Sequence, residues 1–585
     1  MGYTGNVLRV DLTTGRAQVE ELRRDWARKY LGGKGLGIRY LYEELTPGTD
    51  PLAPENKVIL ATGPFTGTIV PCSGKLGVIT RSPANGAILD CSIGGNMAAA
   101  IKFAGYDLVI VEGRAAVPVF IKISDQEVSI ESAEFLWGQG THETEMQLRE
   151  RLGSDFKIMS IGPAGENLVP FACITAELYR QAGRGGIGAV WGSKNLKALA
   201  VQGTGSVRVA DMPKLLEVAR RAMREDLLTD TNLWAYTDGT PMLVEMSNNT
   251  GILPTRNFQS GCFEGFAELK SDALKHYRKG KRACFACGLG CGNYTVTSGG
   301  RVEGPEYETL ALAGSNCGIA SLDAVVKFNS LCDDLGLDTI STGNVIAFAM
   351  ELAQRGIKDF GLRFGDVENY LHMPELIARK QGIGAELARG VKALAEQYGG
   401  LEFAMQVKGL EFPGYEPRGS WAMGLAYATA PRGACHMSAW PVAEEAYGER
   451  DPFSIEGKAQ LVIDLQHYNA AKFSLILCDF WALSFDRMAE LLEPVTGEKL
   501  DAAQLERAGE RIFNLARLFN LREGISGAQD TLPGRIFKQP LQGGATDGKL
   551  LPEDQFKAML GEYYQLRGWS KEGVPLSEKL TELEL

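Results

Sequence analysis

Three cysteines fall within eight positions of one short segment, ACFACGLGC at 283–291, and this spacing constrains the fold more than any other feature. Cys284, Cys287 and Cys291 supply soft thiolate ligands in a compact group, which favours zinc or an iron–sulfur core. No further cysteine follows before Cys317. A closed metal site therefore needs a ligand from a distant segment, and the chain must fold so as to bring that segment in.

The spacing alone does not choose the fourth ligand, for which the candidates are Cys317, Cys332, Cys435 and Cys478. Three near ligands with one distant ligand suit a [4Fe–4S] cube, because the fourth iron can be reached from another part of the chain. A structural zinc usually closes with a second close pair of ligands, and none follows here. The third interpretation is that these cysteines are unliganded core residues, because cysteine buries readily.

Charge and hydropathy exclude two classes of partner. The 585-residue chain carries a net charge of -11 with a pI near 5.3, whereas nucleic acids and anionic membranes require clustered lysine and arginine. No run reaches the length of about 18 apolar residues that a membrane span needs. FSLILCDFWALSF at 473–485 is too short and contains Asp479. We therefore expect no nucleic-acid partner and no membrane insertion.

Cysteine and glycine usage indicates metal or cofactor chemistry. The opening MGYTGNVLRVDLTTG has no basic start followed by a long apolar core, so no secretion signal is predicted and a cytoplasmic location is expected. In that reducing compartment the 11 cysteines, an odd number, do not indicate a disulfide framework. The 70 glycines exceed the usual share of about 7%, and glycine loops let the backbone approach a ligand closely.

The apolar pattern predicts an α+β fold, with a β-rich N-terminal part followed by two mainly α-helical parts. The first part includes a hairpin at GNVLRVDLTTGRAQVEEL, strands at NKVILATGP, KLGVIT and YDLVIVEG, and a short helix at GGNMAAAIKFAG. Helical periodicity follows, and we place the cysteine motif at the end of a helical stretch. The predicted domains are 1–205, 206–410 and 411–585.

Four glycine-bearing loops lie in the β-rich part, at TGPFTGT, PCSGK, SIGG and QAGRGGIG. The last meets the glycine spacing of a dinucleotide-binding loop only loosely, and no strand–loop–helix unit with a later acid is evident. One interpretation is a tight β connection in which the glycines turn the chain. The other is that backbone N–H groups, with Arg180 and Arg184, surround an anion such as a phosphate. Together the four loops suit a large, flat, phosphate-bearing cofactor.

Several polar residues have both a structural and a chemical interpretation. Glu308, in GPEYETLALAG, can be a first-turn acid favoured by the helix dipole. The segment CDDLGLDTIS can be a helix end capped by Gly336, with Asp338 beginning the next element. His436 lies among Gly, Cys and Met residues, a setting that suits a core or turn histidine as well as a catalytic one.

Taken together, these motifs make the chain similar to the tungsten-containing aldehyde:ferredoxin oxidoreductase family. The matching segments run in order from GNVLRVDLTTG to YYQLRGW and include LGGKGLGI, KFAGYDLVIVEG, SIGPAGENLVPFA, AGRGGIGAVWGSKNLKALAV, CFACGLGC, EGPEYE, CDDLGLDTISTGN and RIFNLARLFNL. They cover practically the whole chain. The resemblance implies oxidation of an aldehyde by water to a carboxylic acid, or the reverse reduction, with electrons passing to ferredoxin or an iron–sulfur partner subunit.

The resemblance also implies two metal cofactors. A mononuclear tungsten, or molybdenum, is held by the dithiolene sulfurs of two pterins beside one [4Fe–4S] cluster, and a magnesium ion bridges the pterin phosphates. The implied cluster ligands are Cys284, Cys287, Cys291 and Cys478. The implied cofactor contacts are Lys75, Ser92, Gly94, Arg180, Gln181, Ala182, Gly183, Asp333, Leu337 and Asp338.

Two residues are implied as catalytic by the same resemblance. Glu308 is expected to act as general base toward water or the aldehyde hydrate. His436 is expected to donate a hydrogen bond or a proton to the substrate oxygen. Both positions fall on matching motifs, EGPEYE and RGACH.

Three departures from the family pattern limit what the resemblance implies. The second pterin motif, DxxGLC, reads FSLILC, with Phe473 for the acid and Ile476 for the glycine. Lys75 replaces an arginine, and its ammonium cannot bind in a planar fork. Lys327 and Ser330 stand where some dimeric members place ExxH to hold an iron, so we expect no interface iron.

Two other functions stay open on the sequence. One is a family member with a different substrate, such as an aromatic-ring reductase subunit or a dedicated carboxylic acid reductase. The other is a non-catalytic iron–sulfur or zinc protein, which would leave the glycine loops, Glu308 and His436 without a role. Metal content separates the second of these functions from the enzymes.

Overall fold

Two six-stranded sheets form the N-terminal part of this computed structural model, which describes residues 1–585. The strands of the first sheet are β1 (Asn6–Asp11), β2 (Arg16–Glu21), β3 (Val58–Ala61), β4 (Leu76–Arg81), β5 (Ile88–Ile93) and β6 (Leu108–Glu112). Those of the second are β7 (Val119–Ser124), β8 (Glu127–Ser132), β9 (Lys157–Ser160), β10 (Ile174–Ala176), β11 (Arg180–Ala182) and β12 (Leu196–Gln202).

Both sheets are mixed. The strand orders are β2-β1-β6-β3-β4-β5 and β11-β10-β9-β12-β7-β8. Each sheet contains one parallel pair, β1 with β6 and β7 with β12, while the other neighbours run antiparallel. All residues of β3 and β4 are buried, as expected for strands covered on both faces. The predicted α+β class and the predicted N-terminal strands are therefore confirmed.

Helices connect and cover these sheets and make up most of the remaining chain. In the N-terminal part they are α1 (Arg24–Tyr30), α2 (Gly33–Glu44), α3 (Met97–Phe103), α4 (Thr141–Leu152), α5 (Pro163–Glu166) and α6 (Ile187–Ser193). Those up to residue 398 are α7 (Met212–Ala222), α8 (Leu233–Thr237), α9 (Leu243–Thr250), α10 (Ser271–Lys275), α11 (Tyr307–Thr309), α12 (Leu322–Leu335), α13 (Thr339–Gln354), α14 (Val367–Ala378), α15 (Ile383–Leu387) and α16 (Val391–Tyr398).

The C-terminal region is also helical, and two small sheets lie outside the N-terminal part. The last helices are α17 (Trp421–Thr429), α18 (Lys458–Ser474), α19 (Phe485–Thr496), α20 (Ala502–Arg522), α21 (Gly534–Lys538), α22 (Glu553–Leu566) and α23 (Ser577–Leu583). The small sheets contain β13 (Arg278–Arg282), β14 (Gly292–Thr297) and β15 (Gly300–Glu303), and the pair β16 (Gln406–Val407) and β17 (Leu410–Glu411).

Two local predictions were wrong. The cysteine motif does not end a helical stretch, because RKGKR forms β13 and pairs with β14 across the cysteine loop. Lysine and arginine are good helix formers, so the pairing with β14 overrides local propensity. The GRGGIG segment does lie in a strand–loop–helix unit, from β11 to α6. Since β11 runs antiparallel to β10, this is still not the parallel βαβ unit of a dinucleotide fold.

The C-terminal helices pack directly on the N-terminal sheet. One buried cluster joins Ile59 and Ile110 of the first sheet, Leu41 of α2, and Ile512 and Phe519 of α20. Segments that are far apart in sequence therefore meet around the first sheet. The division at residues 205 and 410 remains a prediction.

No single helix is long and apolar enough to cross a membrane, and one bent pair, Tyr307–Cys317 with Leu322–Leu335, meets the length and composition test only when the two are taken together.

Close backbone packing fixes α12 against the N-terminal part, and a glycine substitution tests it. A Cβ on Gly162 would lie 2.4 Å from the carbonyl carbon and oxygen of Leu335, although its φ of -91° suits alanine. We expect Gly162→Ala to destabilise the fold by about 2 kcal/mol through overpacking. The measurement is the thermal unfolding midpoint.

The matched control is Gly561→Ala on α22, where nothing lies within 4 Å of the added Cβ. This exposed helical position should gain about 0.5–1 kcal/mol, because alanine loses less chain freedom than glycine. Equal midpoints for the two variants would contradict the packing described here.

Candidate functional site

The predicted cluster cysteines are supplied by two segments that a third segment holds together. Cys284, Cys287 and Cys291 lie on the loop between β13 and β14, and Cys478 follows α18. The backbone N–H of Cys478 donates to the carbonyl of Cys72 at 3.0 Å. The N–H of Cys72 donates in turn to the carbonyl of Ala286 at 2.7 Å. The distant Cys478 is thereby fixed beside the other three.

The thiols influence one another electrostatically. Burial, followed by Asp479 and Cys284, raises the pKa of Cys478 to about 12. The pKa of Cys291 is also raised, by burial first and then by Glu306, Cys478 and Cys284. As thiolates the four would repel one another, and a bound cation would stabilise them together.

The donor set does not fit a single zinc ion. No group of three or more His, Cys, Asp or Glu side chains is placed to hold one metal ion. A zinc site brings its thiolates to about 2.3 Å from one point. In this arrangement the thiols do not meet at one point as zinc ligands do.

A fifth thiol, which the sequence analysis missed, lies in contact with this group. The side chain of Cys72 lies beside Cys287 and lowers the pKa of that thiol. Cys72 belongs to the PCSGK loop, which the sequence analysis assigned only to cofactor binding. No spacing rule links it to residues 284–291, because the two segments meet only through the tertiary fold.

The predicted cofactor contacts of the first sheet border the cysteines. Lys75 precedes β4, and its Nζ lies 3.1 Å from Oδ1 of Asp479. Burial alone would lower the pKa of Lys75, but Asp479 and the thiolates outweigh it and the pKa is raised. Ser92 lies in β5, paired with Gly77 of β4. A Cβ on Gly94 would lie 2.8 Å from the sulfur of Cys284, so glycine is required there.

The second sheet contributes β11 and the loop after it. Arg180 forms an ion pair with Glu303. Gln181 donates from Nε2 to Oδ1 of Asp333 at 2.9 Å, and Asn329 donates to Oδ2 at 2.8 Å. Both oxygens of Asp333 are thus occupied, and burial raises the pKa of this carboxyl group. Asp333 therefore positions Gln181 at the edge of the site.

The start of α13 adjoins the same loop. Gly336 ends α12 with a φ of 72°, and Asp338 caps α13 by accepting from Ser341 N–H at 3.0 Å. Leu337 forms a backbone bridge to Ala172. The predicted cap at Gly336 and the predicted element start at Asp338 are therefore confirmed. Asp338 also lies 3.8 Å from the guanidinium of Arg184.

Arg184 joins this loop to the C-terminal region. Its Nη1 donates to the carbonyl of Ala434 at 2.9 Å, and Nη2 donates to the carbonyl of Glu411. Its Nε is buried without a hydrogen-bond partner. His436 follows Ala434 by two positions, so the same arginine helps to position the predicted catalytic histidine.

The two predicted catalytic side chains face each other. Nδ1 of His436 lies 3.6 Å from Oε1 of Glu308, and both atoms are buried without a hydrogen-bond partner. Oε2 of Glu308 accepts from the N–H of Gly414 at 2.8 Å. Burial raises the pKa of Glu308 to about 7. Burial, with Arg184 and Arg432, lowers the pKa of His436 to about 3.

Aromatic side chains enclose this pair. The ring of Tyr415 lies 5.7 Å from that of His436, and Trp440 lies 5.8 Å from Tyr415. Tyr447 continues the row at 5.9 Å from Trp440. Such walls exclude water and strengthen electrostatic interactions between the groups inside.

The unpartnered atoms provide a test of whether a polar group fits this region. Arg184 Nε, Glu308 Oε1 and His436 Nδ1 are all buried without partners, and native proteins rarely leave such atoms unsatisfied. Lys75 and Arg180, each paired with an acid, border the same region. A ligand with polar edges fits these atoms.

The second pterin motif is replaced by apolar packing. Phe473 is buried at the end of α18. Ile476 has a φ of 68°, a region that β-branched residues rarely adopt. Its side chain lies 2.5 Å and 2.7 Å from where Cβ atoms of Gly33 and Gly63 would be. The segment therefore offers no carboxylate at position 473, where the DxxGLC motif of the family has its acid.

Comparison with known proteins places the whole chain in one group. Residues 7–203 match the family model "Aldehyde ferredoxin oxidoreductase, N-terminal domain", and residues 215–585 match "Aldehyde ferredoxin oxidoreductase, domains 2 & 3". The tungsten-containing aldehyde ferredoxin oxidoreductase of Pyrococcus furiosus is 42% identical, over 100% of this chain and 99% of its own. The protein of the same name from Thermococcus kodakarensis has the same identity and coverage.

More distant relatives share the architecture. The WOR-like subunit of an aliphatic sulfonate oxidoreductase from Pyrococcus furiosus is 30% identical, over 99% of this chain and 97% of its own. In a solved structure, the active site complex BamBC of benzoyl coenzyme A reductase with 1,5-dienoyl-CoA, one chain superposes with a TM-score of 0.86. That likeness covers 100% of this chain and 97% of the other at 24% identity, and it concerns the fold alone. On its two family matches and its full-length relatives, the chain belongs to the aldehyde ferredoxin oxidoreductase family.

Proposed function

We propose that the chain is a tungsten-dependent oxidoreductase that oxidises aldehydes with water to carboxylic acids and passes the electrons to a ferredoxin. The observation that carries this proposal is the buried pair of Glu308 and His436, with facing atoms that have no partner. An aldehyde is favoured over an aromatic ring because the relatives at 42% identity are named for aldehydes.

The residues that would hold the tungsten–pterin group are those on the loops around this pair. Lys75, Ser92 and Gly94 come from the first sheet, and Asp333, Leu337 and Asp338 come from the turn between α12 and α13. Arg180, Gln181, Ala182 and Gly183 would meet the phosphates through backbone and side-chain N–H donors, and backbone carbonyl oxygens of the same loop would serve the magnesium ion. When bound, the group would supply Lewis acidity and accept the electron pair of the aldehyde.

The four cysteines would hold a [4Fe–4S] cube, which is the second part of the proposal. A cube places one thiolate on each iron, so its ligands are spread around a larger volume than those of a zinc ion. Lys75 would border both groups, since its Nζ lies 3.1 Å from Oδ1 of Asp479, the residue after Cys478. Its ammonium would offset negative charge on both the tungsten–pterin group and the cube.

Glu308 would act as general base. Gly414 fixes Oε2, which leaves Oε1 free to accept a proton from water or from the aldehyde hydrate. With a pKa of about 7, the carboxylate can both take and release a proton near neutral pH. Oxidation of an aldehyde by water yields the acid, two protons and two electrons, and Glu308 would take one of the protons.

His436 is placed to orient the substrate. Because its pKa is about 3, the imidazole stays neutral at neutral pH and offers one N–H donor. A hydrogen bond from this ring to the carbonyl oxygen would direct the aldehyde carbon toward the water that Glu308 deprotonates. Tyr415 and Trp440 would close the site against bulk water.

Removing the base tests the role of Glu308. We expect Glu308→Gln to lower kcat for aldehyde oxidation by about 100- to 10,000-fold, because the amide cannot accept the proton. The measurement is steady-state aldehyde oxidation with a dye acceptor. The control is Glu368→Gln, which changes an exposed acid in the first turn of α14. Turnover of Glu308→Gln at the level of this control, with unchanged metal content, would refute the assignment.

The pKa of Glu308 predicts the pH dependence. Below about pH 7 the carboxyl group is protonated and cannot act as base, so kcat/KM should fall on the acidic side. The fall should approach roughly tenfold for each pH unit. His436 adds no second transition near neutrality, because its pKa is about 3. A pH profile of kcat/KM that stays flat from about pH 5 to pH 8 would contradict this account.

The identity of the fourth cluster ligand is tested by comparing two cysteines. We expect Cys478→Ala to lose most of the iron, because one corner of the cube loses its thiolate. Cys72→Ala should retain about four irons per chain, since Cys72 only contacts Cys287. The measurements are iron content and visible absorption of each purified variant. Loss of iron from the Cys72 variant, and not from the Cys478 variant, would reassign the ligand.

A further inference from the structure

A strongly basic strand borders the cysteine loop on a protein with a net charge of -11. β13 has the sequence RKGKR, so four of its five residues are cationic. None of the four forms an ion pair, because the nearby acids Glu303 and Asp238 are paired with Arg180 and Lys275. The strand therefore presents uncompensated positive charge next to the cysteines.

These cations are held in place by contacts with neutral groups. Lys281 donates to Oδ1 of Asn293 at 2.8 Å and to the carbonyl of Cys291 at 3.4 Å. The guanidinium of Arg282 lies 5.1 Å from the centre of the Tyr294 ring. Lys279 is exposed. The positive charge thus extends from the surface to the backbone of the cysteine loop.

An apolar patch covers the same loop. Leu228 is 60% exposed, Leu233 53% and Tyr236 59%. A Cβ on Gly290 would lie 3.6 Å from Tyr236, and one on Gly288 would lie 3.7 Å from Leu228. Leu228 and Tyr236 therefore pack on the segment between the second and third cysteines, and all three side chains face solvent.

Most acids beside the apolar patch are neutralised by ion pairs. The cysteine loop itself reaches the surface. Ala286 and Gly288 are both exposed, so little protein covers the cysteines on this side. Arg487 pairs with three neighbouring acids, Glu225, Asp226 and Glu490. Asp230 is exposed and forms no ion pair.

We propose that β13 and the apolar patch of Leu228, Leu233 and Tyr236 form the docking surface for a small acidic iron–sulfur carrier of the ferredoxin type. The proposal rests on the proposed function, in which the aldehyde yields an electron pair. Two oxidised carriers each take one electron in turn and leave reduced. Carboxylates of the carrier complement the basic strand and steer its approach, while the apolar patch gives a desolvated contact at the centre.

The surface has the properties of a transient electron-transfer interface. Such complexes bury less than about 1,200 Å² and form and dissociate quickly. Their attraction comes mainly from charge and weakens with salt, since the Debye length falls to about 3 Å at 1 M. The exposed backbone at Ala286 and Gly288 would let the carrier approach the cube more closely here than through the buried remainder of the site.

Binding of an acidic bacterial [4Fe–4S] ferredoxin to the holoenzyme tests the proposal. We expect Lys279→Glu with Arg282→Glu to raise the Kd by about tenfold or more at low salt, because attraction becomes repulsion. The difference should largely vanish at high salt. Iron content and aldehyde oxidation with a small neutral dye should stay unchanged, which shows that the double variant is folded and loaded.

The matched control is Lys557→Glu with Lys571→Glu, an equal change of charge at exposed positions of the C-terminal region. A Kd for the β13 variant within about a factor of two of this control would overturn the proposal. The binding measurement does not depend on catalysis. If the wild-type protein oxidises no aldehyde but binding falls as expected, the proposed function fails and the docking surface stands.

Discussion

Two backbone hydrogen bonds of Cys72 hold the functional region together. They join the cysteine loop at Ala286, the PCSGK loop of the first sheet and the segment after α18 that carries Cys478. Backbone bonds of this kind place segments without depending on side-chain identity. Because α20 packs on the first sheet, the C-terminal region is anchored close enough for the bonds to form. The cofactor loops, the cysteines and the Glu308–His436 pair all adjoin this junction.

Burial is the dominant electrostatic effect at the centre of the site. It outweighs the hydrogen bond from Gly414, which would lower the pKa of Glu308, and it keeps His436 neutral together with the nearby arginines. An acid shifted upward beside a histidine shifted downward is typical of catalytic sites, because each is moved away from its ordinary charge state. The same enclosure leaves atoms unpartnered that a ligand can satisfy.

The sequence predicted the α+β class and most N-terminal strands, because alternation in segments such as GNVLRVDLTTGRAQVEEL is a local signal. It also predicted that Gly336 caps the end of α12 and that Asp338 begins α13, because both features depend on local chain conformation. It failed where distant pairing decides the outcome. β13 forms only because β14 lies beside it, and Cys72 reaches Cys287 only through the tertiary fold. The approach of Glu308 to His436 was expected from the family resemblance, since no spacing rule relates the two.

The central claim is that one region of the protein holds a metal–dithiolene group next to an iron–sulfur cube. X-ray absorption of the purified holoenzyme at the tungsten and iron edges tests this most directly. The account predicts tungsten, or molybdenum, surrounded by the sulfurs of paired dithiolenes, together with iron that has sulfur and iron neighbours as in a cube. Zinc with thiolate ligands, in a protein that contains neither tungsten, molybdenum nor iron, would contradict it.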